Sequence, residues 1–269
     1  MRREILRRFN VQVRGDGPRT LVFAHGFGCD QDMWRFLVPA FEADHRVVLF
    51  DYLGMGKADR STYDPRRYGK LDAYAEDLVE IVQALELERA VLVGHSVSGM
   101  IGALAAIRAP RLFSHLVMIG PSPCYLEDGD YHGGFQRADL EGLLDMMVHN
   151  DLGWADLLAP TVMQNPERPE LAAELHASFC ATDPIVAKRF AEATFFSDNR
   201  ADLARVPVPA LVLQCSHDNI APDAVGEFLH AHLPASQLHR LAATGHCPHL
   251  SHPEETAMAI RAYLAATAA

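Results

Sequence analysis

The chain has 269 residues, 49% hydrophobic and 22% charged, which is the balance of a globular protein whose core needs no metal or disulfide staple. A net charge of −11 argues against nucleic acid and against anionic membrane surfaces as partners. Five cysteines (Cys29, Cys124, Cys180, Cys215, Cys247), odd in number and without a CxxC pair, read as reduced thiols of a cytoplasmic protein.

The basic start "MRREILRRFNVQV" lacks a continuous apolar stretch with a cleavage site, so it is not read as a secretory signal. An Arg-rich transit peptide is the alternative, but the alternation in "FNVQVRG" reads better as an edge strand. "LVFAHGF" (21–27) is a short buried strand ending in a glycine turn. "QDMWRFLVPAFEAD" spaces Trp34, Leu37 and Phe41 as a helix does, although Pro39 interrupts it. "HRVVLFDY" is a second buried strand. "LDAYAEDLVEIVQALEL" (71–87) puts Leu71, Tyr74, Leu78, Ile81 and Leu85 on one helical face. The most apolar stretch, 90–107, is broken by His95, Ser96 and Ser98, so a strand, a turn and a buried helix fit it better than a membrane span. "HLVMIG" adds one more strand. This alternation predicts an α/β protein with a mostly parallel central sheet flanked by helices.

From about 126 to 203 no buried strand is evident. Four helical stretches stand there instead: "FQRADLEGLLDMMVHN", "WADLLAPTVMQ", "PELAAELHASFC" and "DPIVAKRFAEATFF". The alternation resumes with "PALVLQCSHD", "PDAVGEFLHAHL", "SQLHRLAA" and a last helix from about Pro253. The expected organisation is a core of 1–125 and 204–269, interrupted by a helical cap over 126–203.

Within "VLVGHSVSGM" two serines compete for the role of nucleophile. A strand-to-helix nucleophile elbow, GxSxG, turns so tightly that only small residues fit two places before and after the serine. Centred on Ser96, those places hold Gly94 and Ser98; centred on Ser98, they hold Ser96 and Met100. Methionine is too bulky, so Ser96 is the expected nucleophile and Ser98 its small neighbour. A serine hydroxyl needs a base, and the base needs an orienting carboxylate. In the expected chain order of serine, acid, histidine, Asp218 follows the strand in "LVLQCSHDNIAP" and His246 stands in "ATGHCPHLSHPEE". The amides of Val97 and of Phe27, in the glycine-rich "AHGFG", are the expected oxyanion donors.

Other readings of these residues are weaker. His246, His249 and His252 are three apart and invite a metal, but Pro248 and Pro253 break any helix and no carboxylate cluster accompanies them. No metal and no cofactor is therefore expected; "GMG" and "GFG" lack a phosphate-binding lysine or helix context. Cys247 has no base of its own and reads as pocket wall. Asp51 is expected to hold the glycine turn after it. The aromatics Tyr125, Phe135, Trp154, Phe179, Phe195 and Phe196 divide between cap core and the wall of an apolar cavity suited to small apolar molecules.

Taken together, "AHGFGCDQDMW", "FDYLGMGKAD", "GHSVSGM", "GPSPCYL", "FFSDNRADL" and "GHCPHLSHP" resemble one branch of the α/β-hydrolases. That branch holds the RsbQ-type bacterial stress regulators and the plant karrikin and strigolactone receptors. The likeness runs from about residue 4 to 265 and is greatest to the bacterial regulator. It implies an α/β-hydrolase fold with a four-helix cap, a Ser96–Asp218–His246 triad, and oxyanion donors at Phe27 and Val97. It also implies a small closed cavity walled by Phe27, Tyr125, Trp154, Phe195 and Cys247. His25 stands where the bacterial regulator has proline, Ser98 follows the plant receptors, and Ala58 replaces a common serine. The resemblance leaves two functions open. One is a serine hydrolase of small hydrophobic esters or lactones. The other is a signalling protein that reports its ligand to a partner, which for the bacterial type is a phosphatase carrying a PAS domain.

Overall fold

A computed structural model of the chain describes residues 2–149 and 153–267. Asn150, the last residue of the first expected cap helix, lies outside the described residues. The chain opens with helix α1 (Arg2–Arg8), which the sequence analysis did not anticipate, and edge strand β1 (Gln12–Arg14). Then come β2 (Arg19–Ala24), β3 (His45–Leu49), α2 (Leu71–Ala84), β4 (Ala90–His95), α3 (Val97–Arg108) and β5 (Phe113–Ile119). Among the described residues, four helices follow with no strand between them: α4 (Arg137–His149), α5 (Gly153–Met163), α6 (Pro169–Ala181) and α7 (Pro184–Phe195). The chain ends with β6 (Ala210–His217), α8 (Asp223–His232), β7 (Ser236–Thr244), the single turn α9 (Pro248–Ser251) and α10 (Pro253–Ala266).

Among the described residues, seven strands form one sheet in the order β1-β3-β2-β4-β5-β6-β7, and only the β1–β3 pairing in it is antiparallel. β4 lies at the centre and every one of its residues is buried, because helices cover both faces. Helix α2 buries the face expected of it, including Leu71, Tyr74, Leu78 and Ile81. Each such side chain contributes about 1.5–3 kcal/mol by leaving water. β1 is short and frayed in burial, as befits an edge.

One expected helix is absent. Gln31–Trp34 and Val38–Ala40 are two separate 3₁₀ turns, because Pro39 lacks the amide that a continuous helix requires. Asp30 starts the first turn by accepting from the Asp32 amide. Trp34, Leu37 and Phe41 are nonetheless fully buried, so their spacing reported burial rather than helix length.

Of the helices between β5 and β6, α5, α6 and α7 contact loops that follow the C-terminal ends of strands. Ser178 on α6 donates to the Gly28 carbonyl, and Arg189 on α7 donates to the Pro65 carbonyl. Phe190 packs at a tilt against Tyr74 and Tyr52. The amide of His246 donates to the Val162 carbonyl near the end of α5, 2.8 Å away.

Candidate active site

Ser96 sits between β4 and α3 with φ +56° and ψ −126°, a backbone state that L-residues rarely adopt. Strain of this kind costs about 1–3 kcal/mol and persists because the packed strand and helix impose it. The close approach demanded by the turn is visible at Gly94, where a Cβ would lie 2.4 Å from the Ser98 carbonyl oxygen. Glycine two places before the serine is therefore a steric requirement.

The turn aims the Ser96 hydroxyl at His246. Their Oγ and Nε2 are 2.8 Å apart, and His246 Nδ1 lies 2.7 Å from Asp218 Oδ2. A carboxylate only accepts, so His246 carries its proton on Nδ1 and accepts from Ser96 on Nε2. The other oxygen of Asp218 accepts from the Ile220 and Ala221 amides at 2.8 and 3.0 Å. All three side chains are buried. The loop bearing His246 is held at Gly245, whose φ of +81° and 2.1 Å clearance to the Met163 carbonyl exclude a side chain. Val97 opens α3, where the first amides have no partner inside the helix. Phe27 lies in the turn just past β2.

These groups face a narrow cavity lined by Phe27, Cys29, Leu158, Val162, Phe179 and Phe195, among others. Ser96, His95, His246, Cys247 and Thr194 are the polar residues that line it. It leaves about 20 Å³ for the centre of a water molecule, room for one or two waters. Of the side chains expected to touch substrate, Phe195 and Cys247 border it directly. Tyr125 is fully buried with its hydroxyl 3.3 Å from Ser96 Oγ, and burial raises its phenol far above the ordinary value. Trp154 stands one ring back, stacked on Phe179 at 5.2 Å and tilted against Phe27 at 6.1 Å. Leu158, Val162 and Leu175 line the cavity too, although their i,i+4 spacing on α5 and placement on α6 mark a buried face in the sequence without naming what it covers.

Burial holds the Cys247 thiol well above its usual pKa, so it remains protonated and a poor nucleophile. Cys29 is raised by the same cause. All five cysteines are free. The histidines spaced by three do not converge. His249 packs between Trp34 and His95 and is driven down to about 3 by burial, whereas His252 bonds Ser251. Among the described residues, the group able to hold a metal is instead His95, Cys247 and His249, with ligand atoms within 4.8 Å of one another. There His95 Nε2 already donates to the His246 carbonyl at 2.9 Å.

Asp51, the other acid past a strand end, accepts from the Gln31 and Lys57 amides and from the Asn10 side chain. It holds the glycine turn, as expected. Ser98, expected only to be small, is fully buried and donates to the His25 carbonyl at 2.5 Å.

Comparison with known proteins agrees with this architecture. Residues 21–259 match the α/β hydrolase family. Strigolactone esterase D14 of Arabidopsis thaliana is 39% identical over 96% of each chain. A karrikin insensitive 2 receptor of Petunia hybrida is 38% identical over 91% of each. The solved structure of a hydrolase from Oleispira antarctica superposes with a TM-score of 0.96 at 42% identity, covering 98% of this chain and 97% of its own. Fold and sequence alike make this chain a member of the α/β-hydrolase family.

Proposed function

We propose that the protein is a serine hydrolase that cleaves a small hydrophobic ester or lactone. Ser96 attacks the carbonyl carbon while His246 Nε2 takes its proton. Asp218 stabilises the imidazolium that results, and the Val97 and Phe27 amides receive the oxyanion. Collapse of the tetrahedral intermediate breaks the C–O bond, and His246 returns the proton to the leaving oxygen. Water then repeats the sequence on the acyl-enzyme, releasing the acid and free Ser96. Tyr125, Phe195 and Cys247 shape the acyl pocket, Trp154 backs its wall through Phe27 and Phe179, and residues 126–203 act as the cap that shuts it from water. The cysteine usage favours a cytoplasmic location, and among the described residues no helix is long and apolar enough to cross a membrane.

The observation that carries this reading is the unbroken 2.8 and 2.7 Å relay from hydroxyl to carboxylate, buried at the end of an apolar cavity. Turnover of p-nitrophenyl acetate by the purified chain tests it. Ser96→Ala is expected to lower kcat by about 10⁴ to 10⁶; an unchanged rate would end the proposal.

A second reading is favoured by the tightness of the cavity and by apolar side chains exposed on the inserted helices, Val148, Leu157 and Ile185. Here the same site senses its ligand, and the cap reports occupancy to a partner such as a PAS-domain phosphatase. Co-purification of a partner that depends on ligand distinguishes this role from metabolic hydrolysis alone.

A further inference from the structure

The hydrogen bonds around Ser98 run toward the oxyanion loop rather than toward the substrate. Tyr52 donates from its hydroxyl to Ser98 Oγ at 2.8 Å, and Ser98 donates in turn to the His25 carbonyl at 2.5 Å. The Tyr52 amide donates to His25 Nε2 at 3.1 Å. Because Nε2 accepts, the neutral ring carries its proton on Nδ1, which donates to the Gly26 carbonyl at 3.0 Å. Burial lowers the pKa of His25, which keeps the ring neutral and this tautomer in place. The Cys29 amide donates to the same Gly26 carbonyl at 3.3 Å.

The Gly26 carbonyl and the Phe27 N–H belong to one peptide unit. In a trans peptide they point in opposite directions, and every peptide bond described here is trans. Two donors on the carbonyl therefore fix where the N–H points, and they polarise it as a donor. We propose that Ser98, Tyr52 and His25 are positioning residues that lock the Gly26–Phe27 peptide with its N–H aimed at the developing oxyanion. Serine in the place that glycine takes in the elbow motif is thus a tether between the nucleophile helix and the oxyanion loop. None of the three lines the cavity at Ser96. The proposal rests on the serine-hydrolase reading above and specifies how that site is held ready before substrate arrives.

The test compares Ser98→Ala, Tyr52→Phe, His25→Phe and His25→Asn with the parent chain. The asparagine amide can replace the Nδ1–H donor, whereas phenylalanine keeps a ring and loses it. With p-nitrophenyl acetate, His25→Phe is expected to lower kcat by about 10- to 100-fold, at nearly constant KM. That is less than the roughly 100- to 1,000-fold lost with a whole oxyanion donor. His25→Asn should recover most of the loss, and Ser98→Ala should lower kcat by about 3- to 30-fold. A phenylboronic acid, which places a tetrahedral oxygen in the oxyanion site, should bind each variant more weakly by the factor lost in kcat.

Variants with full kcat and full boronate affinity would overturn the proposal. So would variants that lose thermal stability and kcat while boronate affinity is retained, since that pattern marks a purely structural role. If His25→Phe does not fold, Ser98→Ala and Tyr52→Phe, which each remove one buried hydroxyl, decide the matter. Failure of the hydrolase reading looks different: the parent chain itself would show no turnover that Ser96→Ala abolishes.

Discussion

Replacing Asp218 by asparagine changes one atom and probes the relay at its buried end. Asp218 Oδ1 accepts from two backbone amides, Ile220 and Ala221, while Oδ2 faces His246 Nδ1 at 2.7 Å. The new amide must keep its oxygen on the two backbone donors, because its NH₂ cannot accept from them. Its NH₂ is then turned toward His246 Nδ1 and can only donate. The imidazole answers by moving its proton to Nε2, which now donates to Ser96 rather than accepting from it. The base is lost although every heavy atom stays in place. In other serine triads this exchange costs about 10⁴ in kcat, or about 5 kcal/mol of barrier at 1.36 kcal/mol per tenfold. The assay is kcat on p-nitrophenyl acetate, with thermal melting as a control for folding. A folded Asp218→Asn variant within tenfold of the parent rate would refute the tautomer argument and with it the role given to the acid.

Three further outcomes follow from the same geometry. Trp154→Ala should cost about 3–5 kcal/mol of stability, because the ring packs on Phe179 and Phe27 behind the cavity wall; a shift in ester chain-length preference with no change in melting would place it in the wall itself. Asp77 is pushed up to about 6, chiefly by burial, with bonds from Tyr68 and Arg67 opposing the shift. Its folded pKa lies above the unfolded value of about 3.9, so its contribution is full below that value and is lost as pH rises through 6. The stability of the parent relative to Asp77→Asn should therefore fall between pH 4 and 7; a rise over that window would mean that the Arg67 ion pair outweighs burial. Esterase activity should be unchanged by EDTA, whereas inhibition would assign a metal to His95, Cys247 and His249.

The sequence carried much of the architecture because the strands that matter are buried on both faces. β4, β5 and the first part of β6 are apolar runs bounded by turns, and α2 shows one apolar face. The proposed triad of Ser96, Asp218 and His246 was suggested by residue type, order and place after strands, none of which depends on packing detail, and the three side chains lie within hydrogen-bonding distance. The segment from Gln31 to Phe41 was misread because burial spacing is shared by a helix and by successive 3₁₀ turns, and a proline decides between them. The role of Trp154 was out of reach for a related reason. An aromatic in a helical pattern reveals that it is buried, not whether a cavity or a second ring lies against it. Ser98 was read only by its size, since its acceptor, the His25 carbonyl, is a backbone atom distant in sequence. The α1 helix left no signal beyond a basic, short and exposed segment.

In the proposed mechanism the Ser96 hydroxyl is the group that bonds to carbon during turnover. Intact-mass and peptide-mapping spectrometry after a short incubation with a slowly hydrolysed aryl ester tests this directly. One acyl group per chain is expected, mapped to Ser96 and absent from Ser96→Ala. An acyl group on Cys247 or His246, or turnover that persists in Ser96→Ala, would contradict it.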